Sequence, residues 1–270
     1  MIRAATALAF FLSVLARLVA DEVRVHDLDS PFQKGRTTVR VLLPDRLESA
    51  CSYRVLYVLP VVAGSERRFG DGLAEVRKLD AHNRHGLICV APEFTSPPWF
   101  ADHDLYDGVR DESHLLKVVL PFVEENYPVL GGIEGRLLVG FSKSGWGALS
   151  LLLRNSKMFH RAAAWDTGIR VDLGPIEEKA RAERIARDFG TAANFEKYRL
   201  SRLIRDGGRE LGPESRFFYY NTGGRRAQGG SELHQLMVEL AVPHTYLYEP
   251  KRPHRWDSGW LRAAIDFLAE

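Results

Sequence analysis

The residues whose order carries the most chemistry lie between Leu137 and Ala148. Leu137-Leu138-Val139-Gly140-Phe141 reads as an apolar strand, Ser142-Lys143-Ser144 as a tight turn, and Gly145-Trp146-Gly147-Ala148 as the start of a leucine-rich helix. A serine on such a turn holds its hydroxyl at the strand's carboxyl end, clear of the sheet. The helix N-terminus behind it favours negative charge developing on a nearby oxygen. The Lys143 N–H is the expected donor to that oxygen. This is the setting of a nucleophile. Ser144 stands where the second glycine of G-x-S-x-G is usual, and it suits attack less well because it falls inside the helix. Stripped of its setting, the same run is a plain strand-to-helix turn of another α/β fold.

A serine hydroxyl is a weak nucleophile until a base takes its proton. Nine histidines are present. Only His254 sits in the chain order expected of a base, after the last predicted strand and before the last helix. His82 and His85 end a predicted helix, and His234 lies in another with a solvated side chain expected. His26, His114, His160 and His244 have no distinctive context.

These residues need a scaffold. Val23–Leu28 and Thr37–Leu43 flank a polar turn and read as an antiparallel hairpin. Six short apolar runs follow: Val55–Pro60, Leu87–Pro92, Arg136–Phe141, Arg161–Trp165, Phe217–Tyr220 and Thr245–Tyr248. Helical stretches near Gly72–Arg84, Asp111–Tyr127, Gly145–Arg154, Ile176–Asp188 and Ser231–Leu240 separate them, and a final helix follows Trp256. The alternation predicts an α/β fold: a mainly parallel sheet with helices on both faces. In such sheets ligands bind at the carboxyl ends of the strands.

The run Gly140-Phe141-Ser142-Lys143-Ser144-Gly145-Trp146-Gly147-Ala148 resembles the G-x-S-M-G-G-x-G-A elbow of the esterase D, feruloyl esterase and enterochelin-esterase-like group of α/β-hydrolases. The strand Val55–Leu59 and the segment Pro253-His254-Arg255-Trp256 extend the likeness over most of the chain. The resemblance implies the α/β-hydrolase fold and a serine esterase without metal or organic cofactor. It also implies His254 as general base, from the group's G-H-x-W segment, with Pro253 in place of the glycine.

In that group the acid usually follows the strand that here is Phe217–Tyr220. The residues after it, Asn221-Thr222-Gly223-Gly224-Arg225-Arg226-Ala227-Gln228, hold no carboxylate. Asp166, at the end of the preceding strand, is the expected substitute, since a triad is defined by geometry and not by position. Glu232, Asp257 and no acid at all remain alternatives, and Asp166 is otherwise a cap aided by Thr167-Gly168. The second oxyanion donor is expected after Val55–Pro60, from the N–H of Val61 or Val62, because Pro60 has none.

Pro97 to Asp104 forms a loop too long for a simple connection, and such loops often bind ligands. Trp99 and Phe100 are the candidate substrate contacts, with core packing the alternative for each. Asp102, His103 and Asp104 lack the converging partners a metal site needs, and no metal is expected. Trp256 and Trp260 are expected to pack beneath His254. Lys143, where the group often has Met, is expected to bias the site toward anionic or polar esters.

Bulk properties limit the rest. A length of 270 residues and 45% hydrophobic content suit a single domain over 21–270. A net charge of +2 gives no reason to expect nucleic acid or an anionic membrane as partner. Residues 1–20 carry Arg3, an apolar run from Ala4 to Ala16, and small residues at Ala16 and Ala20, the pattern of a secretory signal peptide. The expectation is a secreted or periplasmic protein, free of the membrane once cleaved, acting on a small-molecule or carbohydrate-linked ester. Cys51 and Cys89 are expected to stay unpaired and partly buried, because their strand offset is too large for a disulfide. A hydrolase-fold binding protein without turnover, and an acyltransferase using the same residues, are the rival readings.

Overall fold

The computed structural model describes residues 23–48, 50–62, 66–167, 169, 172–173, 176–222 and 227–270. Residues 1–20, where the signal peptide is expected, Ala63-Gly64 and Arg225-Arg226 lie outside the described residues. Eight strands form one sheet: β1 (Arg24–Leu28), β2 (Thr37–Leu42), β3 (Arg54–Val58), β4 (Leu87–Pro92), β5 (Arg136–Phe141), β6 (Arg161–Trp165), β7 (Phe217–Asn221) and β8 (His244–Tyr248). Their order is β1-β2-β4-β3-β5-β6-β7-β8. β1 pairs with β2, and β2 with β4, antiparallel; every other pair is parallel. The fold is the α/β arrangement expected, with the opening hairpin in place.

Successive strand residues point to opposite faces, so each central strand feeds two cores. Tyr57, Leu138, Ala162 and Ala164 enter one, and Leu56, Val139, Ala163 and Trp165 the other. Burial on both faces explains why these strands read as unbroken apolar runs rather than alternating ones.

The described helices are α1 (Glu66–Phe69), α2 (Gly72–Lys78), α3 (Ala81–Arg84), α4 (Asp111–His114), α5 (Leu120–Asn126), α6 (Lys143–Arg154), α7 (Glu178–Phe189), α8 (Ala192–Tyr198), α9 (Leu200–Gly207), α10 (Ala227–Glu239) and α11 (Leu261–Ala269). α5, α6, α9 and α10 give Val123, Leu149, Ile204 and Leu233 to the first core. α2, α3 and α11 give Leu73, Ala81 and Ile265 to the second.

Three elements differ from the expected pattern. The stretch Gly72–Arg84 is two helices, because Asp80 turns left-handed at φ 54°. Aspartate tolerates that conformation better than most residues, and Asn83 Nδ2 donates to its side chain at 2.7 Å. α4 and α5 are joined by a π turn over Leu115–Val119. Pro121 follows it and has no N–H to return to the preceding turn. Finally, α8 and α9 fill a stretch where no helix was expected. α8 is capped by the Thr191 hydroxyl, which accepts from Asn194 N at 3.1 Å.

Both cysteines are free, but they are not alike: Cys51 is exposed and Cys89 fully buried in β4. Cys89 lies opposite Leu56 in β3, with Cys51 ahead of that strand.

Candidate active site

β5 ends at Phe141 and α6 begins at Lys143, leaving Ser142 alone to reverse the chain. It does so at φ 56° and ψ −120°, a costly conformation for a residue with a Cβ. Contacts on both sides hold it there. Ser142 N donates to Trp165 O at 2.8 Å, and Trp146 N closes the first helical turn onto Ser142 O at 3.2 Å. The turn needs Gly140, where a Cβ would lie 2.1 Å from Ser144 O. Gly140→Ala must displace this backbone, at a cost of about 1–3 kcal/mol. A thermal melt should show Tm about 3–10 °C lower; an unchanged Tm would mean the turn has slack.

Ser144 is fully buried. Its Oγ donates to Phe141 O at 2.9 Å and takes the Phe141 N–H at 3.0 Å. It staples the turn from inside and faces no solvent. That is the role of the serine standing in for the usual glycine.

Phe141 and Trp165 are paired across β5 and β6, so the residues that follow them, Ser142 and Asp166, emerge side by side. Asp166 also has a positive φ, 43°. His254 arrives from the loop between β8 and α11. Its Nε2 lies 3.0 Å from Ser142 Oγ, and its Nδ1 lies 3.0 Å from Asp166 Oδ2. With the proton on Nδ1, the imidazole donates to the carboxylate and accepts from the serine hydroxyl. The side chains of His254 and Asp166 are 12% and 2% exposed.

Thr222, just beyond the end of β7, holds the carboxylate. Its N–H donates to Asp166 Oδ1 at 2.9 Å, and its hydroxyl donates to Oδ2 at 2.7 Å. The strand end where the acid is customary thus supplies two donors to an acid displaced by one strand. Sequence reasoning missed Thr222; a hydroxyl beside a vacant acid position was the available signal.

The His254 ring packs on Phe141 at 4.3 Å and on Trp165 at 5.9 Å, with Phe69 edge-on at 6.0 Å. Trp256 and Trp260 form the layer behind, against Phe141 at 5.7 Å and Trp165 at 5.2 Å. The loop is pinned where Trp256 N donates to Phe69 O at 2.7 Å.

The rival acids are elsewhere. Asp257 forms an exposed fork with Arg255, and Glu232 is a half-buried residue of α10. The other histidines serve other contacts. His114 is buried against Ser30 Oγ at 2.9 Å, and burial drives it down to about 4. His234 is not solvated as expected: its Nδ1 lies 2.8 Å from His244 Nε2, and its ring stacks on Tyr246.

Lys143 opens α6, and Val61 and Val62 follow β3. Val61 is buried and Val62 half-buried. All three candidate oxyanion residues therefore come from segments that flank the carboxyl ends of adjacent strands β3 and β5.

The candidate substrate contacts separate. Phe100 is fully buried and fills the notch at Gly147, where a Cβ would lie 2.1 Å from its ring. It is a core residue and not a substrate contact. Trp99 is half-buried and lines a cavity of about 350 Å³ together with Lys143. Asp102, His103 and Asp104 go to separate partners: Asp102 accepts from Ser113, His103 from Leu105 N, and Asp104 from Thr191.

Comparison with known proteins agrees with this architecture. Residues 107–183 match the family model described as "Putative esterase"; the stretch holds Ser142 and Asp166 and stops short of His254. Esterase Rv1288 of Mycobacterium tuberculosis (strain ATCC 25618 / H37Rv) is 28% identical over 158 residues, 56% of this chain and 34% of that protein. The chain thus spans about a third of the length of the curated relatives it matches. Among solved structures, the Staphylococcus aureus serine hydrolase FphF superposes with a TM-score of 0.73 at 14% identity, covering 92% of this chain and 98% of that one. The ferulic acid esterase AmCE1/Fae1A of Anaeromyces mucronatus gives 0.62 at 17% identity, covering 92% and 89%. Residues 107–183 thus resemble a family of esterases, and the fold is the one shared by these solved hydrolases.

Proposed function

We propose that the chain is a secreted serine carboxylesterase acting through an acyl-enzyme on Ser142. One observation carries the reading: Ser142, His254 and Asp166 stand in a continuous hydrogen-bonded line with both gaps at 3.0 Å. In the first half-reaction Ser142 Oγ attacks the ester carbonyl carbon while His254 Nε2 takes its proton. The resulting oxyanion is met by the Lys143 N–H and by an N–H of Val61 or Val62. The tetrahedral intermediate collapses, the carbonyl–alkoxy bond breaks, and His254 returns the proton to the departing alcohol. Water then repeats the sequence on the acyl-enzyme and releases the acid. Asp166 holds the Nδ1–H tautomer and stabilises the imidazolium formed in each half.

No residue in this line requires a metal or organic cofactor. FphF is described as fluorophosphonate-binding, which supports a fold of this kind presenting a reactive serine. Export rests on residues 1–20, and N-terminal sequencing of the protein from a secreting host should begin after Ala16 or Ala20.

The test is hydrolysis of p-nitrophenyl esters of graded acyl length. A burst of nitrophenol followed by slower turnover is the expected signature of an acyl-enzyme. Ser144→Ala separates the two serines. It leaves the buried Phe141 N–H without its partner and should cost about 1–3 kcal/mol of stability, while the folded fraction keeps its burst. A lost burst in folded Ser144→Ala protein would transfer the nucleophile role away from Ser142.

A further inference from the structure

The cavity beside Lys143 has a charge pattern that ester hydrolysis alone does not require. Trp99 and Tyr106 give it an aromatic wall, and Lys34, Arg187 and Lys143 bring three cations to its lining. Asp188 and Asp111 are the carboxylates there. Asp188 is engaged by Arg187 through two bonds of 2.8 Å. Asp111 is buried and accepts from Trp99 N at 2.9 Å and Gln33 Nε2 at 3.3 Å.

Lys143 differs from these. Its Nζ lies 4.9 Å from the centre of the Trp99 ring. Among the described residues no carboxylate comes within ion-pair distance of it. A half-buried ammonium against an aromatic face, with no carboxylate in ion-pair reach, is incompletely compensated.

We infer that this cavity is a subsite for a carboxylate carried by the ester substrate, with Lys143 Nζ as its principal partner. The inference rests on the esterase reading of Ser142, which it makes more specific. Lys143 follows the nucleophile directly, so its four-carbon stem sets how far the anion stands from the scissile carbonyl. The substrate is therefore an ester with a carboxylate several bonds from the reacting carbon and an apolar portion against Trp99. A substrate amine would meet like charge at Lys143. Burial lowers the Lys143 pKa, with Asp188 and Asp111 opposing from a distance. A carboxylate seated beside the ammonium would favour its charged form further.

The experiment compares kcat/KM for p-nitrophenyl hemiglutarate with that for p-nitrophenyl valerate, which matches it in length and lacks the charge. A second pair, 4-carboxyphenyl and phenyl acetate, places the carboxylate on the leaving group instead. The protein as it stands should favour the charged member of one pair by about tenfold, and the pair that responds shows which side of the ester occupies the cavity. In Lys143→Met that ratio should fall to about one. Equal losses on charged and neutral esters, or no charge preference in either pair, would overturn the inference.

Should no ester be turned over at all, the esterase reading fails separately. Calorimetric titration of Ser142→Ala protein with the same compounds then decides the inference. Tighter binding of a charged member, lost when Lys143→Met is added, supports it; equal binding of charged and neutral members contradicts it.

Discussion

Ser142→Ala is expected to lower kcat for a short p-nitrophenyl ester by about 10⁴-fold or more, with His254→Ala giving a loss of the same order. The two residues act as one unit. Without the imidazole the hydroxyl stays protonated, and without the hydroxyl the imidazole has nothing to activate. The double variant should therefore be no worse than either single one, within about a factor of ten. Additive losses in steady-state assays on folded protein would mean that the 3.0 Å contact between them is not used in turnover. Ser142→Ala should keep its native melting temperature to within a few degrees, because the small side chain fills no core position. His254→Ala should melt lower, because it removes a ring packed on Phe141 and Trp165, so its loss of activity is read on the folded fraction.

The second large effect concerns Asp166. Asp166→Asn should lower kcat by about 10⁴-fold. The amide can present its NH2 to His254 Nδ1, which favours the tautomer with the proton on Nε2, facing the serine. Thr222 sharpens the test, since its N–H donates to Oδ1 of this carboxylate and would hold the replacement amide's oxygen there. That leaves the NH2 in the Oδ2 position facing His254 Nδ1, with the Thr222 hydroxyl free to rotate and accept. Glu232→Gln and Asp257→Asn should leave kcat within about twofold, as the carboxylate hydrogen-bonded to the imidazole is that of Asp166. The comparison requires only initial rates on four proteins of equal concentration. A loss in Asp166→Asn no greater than in Glu232→Gln would remove Asp166 from the reaction.

Much of this site is visible in the residues, and the parts that are not have physical causes. The elbow is legible because a strand, a strained serine and small neighbours must occur consecutively in sequence. His254 is legible from chain order. The acid is harder. Its partner Thr222 lies 56 residues away, and only the pairing of Trp165 with Tyr220 in β6 and β7 brings Thr222 to Asp166. In the fold the acid position beside His254 is filled from one strand earlier, with Asp166 Oδ2 at 3.0 Å from Nδ1.

Local composition misled at Phe100. An aromatic in a long loop reads as a ligand contact as readily as a core residue, and only the notch over Gly147 decides between them. The helices α8 and α9 were hidden for a related reason. They are short and stabilised by tertiary packing of Phe195, Tyr198, Leu200 and Ile204 more than by their own propensity. Lys143 shows the reverse case. The sequence points to an unusual cation beside the nucleophile, and the fold supplies the cavity that gives it something to do.

The central claim is that Ser142 is a nucleophile activated by His254 and Asp166. Intact-mass analysis after incubation with a fluorophosphonate, followed by peptide mapping, tests it most directly. One phosphonyl adduct on the peptide carrying Ser142 is predicted, absent in Ser142→Ala and slowed by orders of magnitude in His254→Ala. No adduct on folded protein, or an adduct that persists in Ser142→Ala, would contradict the account.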